Sequence, residues 1–164
     1  MKTSLCKVEV AVAGFTNEFT HCDQIANYLS TSISLEQPDP FQYSTALSIV
    51  LNEVLETLHQ SDRPNSMATL EVLTEGRTIH LVLGVEGEDR IVSFYSKIAA
   101  EAAPPGDPEE LYRTGLLEGP LRRELSVYRL LADHGARIDI TRTAPDRAFI
   151  DVTVTLDDCI EVAT

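Results

Sequence analysis

Apolar and polar residues alternate through "KVEVAVA", residues 7–13, the two-residue period of a strand with one buried face, and Gly14 ends the run. The period then lengthens. Ile25, Tyr28, Leu29 and Ile33 recur three and four apart, which predicts a helix over residues 22–33. "EQPDP" is a loop that delivers a helix start, with Asp39 as N-cap, Pro40 at the first helical position and Gln42 at the third. The helix that follows runs to about Gln60, where "SDRPNS" stops it. Leu47, Val50, Leu51, Val54 and Leu58 share its core face, and Ala46, Ile49, Glu53 and Thr57 fall on the flank beside it.

"MATLEVLTEGRTIHLVLGVEG" holds two alternating runs about Glu75-Gly76, a β-hairpin by pattern. Ile91, Phe94, Tyr95, Ile98 and Ala99 predict a helix over residues 89–102. "AAPPGDPEE" breaks it and restarts a short helix, with Asp107 capping and Pro108 in the first turn. Gly119-Pro120 opens another helix with Leu121, Leu125, Tyr128 and Leu131 on one side, and Gly135 follows as the residue just past its end. "ARIDITRTAPDRAFIDVTVTL" closes the order as a second hairpin. The order β-α-α-β-β-α-α-α-β-β predicts an α+β fold, a two-layer sandwich of a mixed sheet with helices on one face. Low-complexity segments and internal repeats are absent, and 164 residues at 43% hydrophobic suit one domain spanning 1–164.

Charge narrows the class of partner. Acidic residues number 26 against 13 basic, a formal charge of −13, and such a surface repels nucleic-acid phosphates and anionic membranes. A protein partner is expected, a homodimer is one form of it, and neither nucleic acid nor membrane is. No apolar run approaches the ~18–20 residues of a membrane span, and alternation begins where a signal peptide would carry a continuous apolar stretch, so a cytoplasmic setting is expected. Cys6, Cys22 and Cys159 are odd in number and widely spaced, which favours reduced thiols over a disulfide framework.

The C-terminal run "RRELSVYRLLADHGARIDITRTAPDRAFIDVTVTL" resembles the last helix, H-G-G-x-I turn and terminal hairpin of the histidine-kinase-like ATPase (GHKL, Bergerat) superfamily, with Ala136 in place of the second glycine. "FQYSTALSIVLNEVLETLHQ" looks like the helix that bears the superfamily's nucleotide motif, and the strand-helix-helix opening is most similar to the anti-sigma-factor serine/threonine kinases. The resemblance implies a glutamate general base with a magnesium-binding asparagine four residues on. The matching positions are Glu53 and Thr57, and a hydroxyl is a poorer hard-cation ligand than an amide oxygen. It also implies a D-x-G-x-G adenine motif, where "LGVEGED" keeps Gly84 and Gly87 but no aspartate before them. A glycine-rich, phosphate-cradling helix start is implied as well. "TGLLEGPLRREL" offers Gly115 and Gly119 there, with Pro120 removing an amide and Glu118 adding negative charge.

With all three motifs altered, the sequence favours a regulatory protein-binding module on a degenerate kinase-like ATPase scaffold, acting in bacterial-type signalling without a cofactor. Two alternatives stand beside it. One is an active ATP-dependent serine/threonine kinase using magnesium, with Glu53 as base; the other is a structural assembly subunit. For a binding module, the expected interaction residues are Tyr112, Leu116, Arg122 and Arg123, in or beside the Pro-containing stretch where the family carries its nucleotide lid. His21-Cys22-Asp23 is the tightest group of metal-capable residues. No second pair stands at zinc spacing, so no metal site is expected. His59, His80 and His134 are scattered, and no G-x-S-x-G anchors a hydrolase triad.

Overall fold

The computed structural model describes residues 1–16, 19–63, 65–120 and 123–156. Its elements follow the predicted order: β1 (Thr3–Ala11), a one-turn α1 (Ala13–Thr16), α2 (Phe19–Ser34), α3 (Pro40–Glu56) running into a 3₁₀ turn (Thr57–Gln60), β2 (Met67–Glu75) and β3 (Thr78–Glu86). Then come α4 (Asp89–Ala102), α5 (Pro108–Leu117), α6 (Glu124–His134), β4 (Arg137–Ala144) and β5 (Arg147–Thr155). One five-stranded sheet takes the order β1-β2-β3-β5-β4. The α+β two-layer class holds, but the sheet is not mixed: all four pairings are antiparallel. The reason is the chain's path. Both hairpins turn back directly, and the long helical connections bring β2 beside β1 and β5 beside β3 with opposite sense.

The pleat decides which residues meet the helices. Val8 and Val10 of β1, Leu70 and Val72 of β2, Leu81 and Leu83 of β3, and Ile150 and Val152 of β5 point inward, while Lys7, Glu9, Glu71 and Asp139 stand on the opposite face. A register slip between Ser4 and Cys6 leaves Leu5 unpaired on the β1 edge.

α3 forms the centre of the helical layer. The Asp39 carboxylate accepts from the Gln42 amide at 3.1 Å and Pro40 fills the first turn, as the sequence indicated. Leu47, Val50, Leu51, Val54, Leu55 and Leu58 are essentially fully buried, each worth about 1.5–3 kcal/mol over an exposed side chain. Leu55 widens the expected core stripe, and Ile49, expected on the half-covered flank, points outward. α4 buries Ile91, Val92, Tyr95 and Ile98. α6 begins at Glu124 rather than beside Pro120, ends at Gly135 with φ +56°, and inserts Val127, Leu130 and Leu131 towards Val54, Tyr95 and Val152. Leu121 and Arg122 lie outside the described residues.

Candidate functional site

The last two turns of α3, the middle of α4 and the N-terminal end of α6 leave a cleft of about 120 Å³ open to solvent, smaller than the ~300–1,000 Å³ of typical small-ligand sites. Glu53, Glu56, Thr57 and Gln60 line one wall, Phe94 the second, Arg123 and Ser126 the third. Glu53 stands there because its helical position lies between the core face and the solvent face. Burial pushes its carboxyl above the ordinary glutamate range, the Ser126 hydroxyl pulls back, Glu56 raises it further and Arg129 lowers it. Its Oε2 is buried without a hydrogen-bond partner. Beside it, Asn52 Nδ2 donates to Glu56 Oε1 at 2.7 Å, and Asn52 Oδ1 is likewise buried and unpartnered.

Thr57 is differently committed. Its hydroxyl donates to the Val54 carbonyl at 2.6 Å and lies 2.8 Å from the Tyr95 hydroxyl, which therefore donates to it. Both residues are buried, and burial raises the Tyr95 phenol far above its usual range, so it stays a neutral donor.

The other expected site residues are dispersed. Gly84 lies on the helix-free face of the sheet, where a Cβ would collide with Thr69 Oγ1 and crowd the Phe149 ring. Gly87 takes φ +63° under the Arg63 guanidinium, at the entry to α4. Next to it Glu88 is buried, with one carboxylate oxygen accepting from Ser61 and Ser66 at 2.6 Å each. Gly115 lets α5 approach Leu125 of α6, and Gly119 has open space around it. None of these four glycines lines the cleft.

Of the expected interaction residues, Tyr112 packs half-buried against the core beside Leu111, because both lie on the α5 face turned to the interior. Leu116 is exposed and Leu117 beside it more so. Arg123 is exposed at the mouth of the cleft, and Arg122 lies outside the described residues. Sequence reasoning missed Asn52, Gln60, Phe94 and Ser126. The four-residue spacing of Asn52 and Glu56 was a readable signal, whereas Ser126 reaches Glu53 only through tertiary packing.

Among the described residues, no three metal-capable side chains gather. His21 Nδ1 lies 2.7 Å from the Gly14 carbonyl. Burial pushes the Cys22 thiol up to about 12, with Glu56 adding to the shift, so the thiolate is suppressed. Cys6 is a free thiol too, and Cys159 lies outside the described residues. His80 sits on the helix-free sheet face between Asp151 at 3.1 Å and Thr153 at 3.2 Å. No helix among the described residues is long and apolar enough to cross a membrane.

No family model matches the sequence, and no curated protein matches it. Among solved structures, the chain is similar to a chain of the SiaB–SiaC complex from Pseudomonas aeruginosa, with a TM-score of 0.60 and 16% identity. The likeness covers 92% of this chain and 89% of that one. The two share a fold across almost their whole length. The neighbour was crystallised in a complex of two proteins, and nothing in these comparisons names the histidine-kinase-like ATPase superfamily, whose resemblance rests on the sequence motifs alone.

Proposed function

We propose that this protein is a regulatory protein-binding module of a bacterial-type signalling system, built on a kinase-like ATPase scaffold whose nucleotide chemistry is disarmed. The observation that carries the reading is the state of Thr57. Its hydroxyl is tied to Val54 and Tyr95 below the cleft floor, so the position four residues after Glu53 offers a ligand that is weak for magnesium and already engaged. The fold shared with one chain of a two-protein complex supports the same direction. The contact surface in this reading takes in Arg123 at the cleft mouth and the exposed Leu116 and Leu117 at the end of α5.

Capture from an extract of the native cell tests it. With the unaltered protein as bait a specific protein should be retained, and Leu117→Glu and Arg123→Glu should each lose it while keeping the parent circular dichroism spectrum. Retention of the same proteins by both folded variants would exclude this surface.

Glu53 favours a second reading. A carboxyl with a raised pKa, in a cleft open to solvent, has the character of a general base. A kinase that uses it must bind ATP, and that binding separates the two readings.

A further inference from the structure

The α2–α3 pair carries a surface unlike the rest of the molecule. From residue 8 to residue 62 the chain contains no lysine or arginine, and residues 24–35 and 40–52 contain no charged residue of either sign. Those two stretches are most of α2 and α3, which pack antiparallel side by side on the sheet. On each helix the apolar core residues leave an opposite stripe to solvent. Tyr28 and Leu35 stand on the α2 side at 72% and 73% exposure; Phe41 and Ile49 stand on α3 at 80% and 45%. Leu35 and Phe41 sit at the same end of the pair, across the short loop that joins the helices, and Gln24, Thr31 and Thr45 fill the stripes with neutral polar groups. Acid stands only at the margins: Asp23, Glu36, Asp39, Glu53 and Glu56.

We infer that this face binds a second copy of the same chain. Two molecules of formal charge −13 repel over most of their surfaces. A two-fold contact brings the same patch of both copies together, so a patch without charge avoids that repulsion. The outer faces of α2 and α3 supply one. A basic protein would gain nothing from a neutral face and would be drawn to the acidic surfaces instead. Area agrees with a second copy. Two adjacent helices of 16 and 17 residues, each about 25 Å long and about 10 Å across, present on the order of 500 Å² in projection. Two copies together reach about 1,000 Å², the threshold for a specific interface. Leu116 and Leu117 belong to a different element, α5.

Sedimentation equilibrium on the whole chain, from low to high micromolar concentration, tests the inference. The expected mass is twice the 18.1 kDa of one chain, falling to one chain in Phe41→Glu and in Tyr28→Glu. Both variants should keep the parent circular dichroism spectrum, because neither side chain is buried in the monomer, and should melt somewhat lower as the stabilisation from association is lost. Leu117→Glu, outside the face, should remain dimeric. Raising salt should tighten the dimer by screening the repulsion between copies. A single-chain mass throughout the concentration range would overturn the inference. So would a dimer unaffected by Phe41→Glu and Tyr28→Glu, or one dissolved by Leu117→Glu.

Discussion

At the scale of single residues, Thr57 and Glu53 differ in what holds them. The Thr57 hydroxyl is the hydrogen-bond partner of a buried phenol, so Thr57→Val strands the Tyr95 hydroxyl in an apolar interior. That should cost about 1–3 kcal/mol, whereas Tyr95→Phe in the Thr57→Val background should restore part of the loss, since the orphaned group is then gone. Urea denaturation of the two single variants and the double variant checks it, and a neutral Thr57→Val would show that the pair carries no weight. Glu53 is held at an electrostatic disadvantage. A carboxyl whose folded pKa lies above its unfolded one contributes stability while both states are protonated. That contribution is lost as pH rises from the ordinary glutamate range through the raised folded value. Glu53→Gln should therefore melt higher than the parent at pH 7, with the gap closing as pH falls through the raised folded value and gone by about 4.3. A variant that melts lower at pH 7 would mean that the ionised carboxylate gains more from Ser126 and Arg129 than burial takes away.

At the scale of elements, two glycines expected to serve one phosphate cradle have different surroundings. Gly115 faces Leu125 across the α5–α6 contact, so an added methyl must push that side chain or the helix aside, while Gly119 has nothing near it. Gly115→Ala should lose about 1 kcal/mol net, overpacking against Leu125 being partly offset by alanine's better helix propensity, and Gly119→Ala should fall within about 0.5 kcal/mol of the parent. Equal effects in thermal melts would show that the helix contact is looser than described.

The elements themselves were legible wherever the signal was local. Asp39-Pro40 and Asp107-Pro108 mark helix starts by their own chemistry, and α4 spans residues 89–102 as its apolar spacing indicated. Period-two runs gave both hairpins with their turns. What the chain pattern could not carry was relative direction. Parallel and antiparallel pairing depend on how connections cross the sheet, so the all-antiparallel order emerged only from the assembled fold. The same limit applies to the site. Glu53 and Thr57 share a helix and were found together, while Arg123 and Ser126 join them from a helix about seventy residues away. Which side of α5 turns inward was likewise illegible: one side of a ten-residue helix must face the interior, and periodicity did not say that it would be the side carrying Leu111 and Tyr112.

At the scale of the whole molecule, excess acid, a helix-free sheet face of mixed polarity and a neutral helical face divide the surface by the kind of partner each can accept. The cleft lies between these surfaces, and its use decides between a protein-binding module and an enzyme. The sequence lacks the aspartate that the ATPase resemblance implies, the Thr57 hydroxyl is bonded within the fold, and among the described residues the cleft's lining includes no glycine. Isothermal titration calorimetry with ATP, run with and without magnesium on the intact chain, tests this most directly. The account predicts no binding tighter than about millimolar under either condition, a free energy of only about 4 kcal/mol. Micromolar binding that requires magnesium and is lost in Glu53→Gln would contradict it and make the protein a kinase.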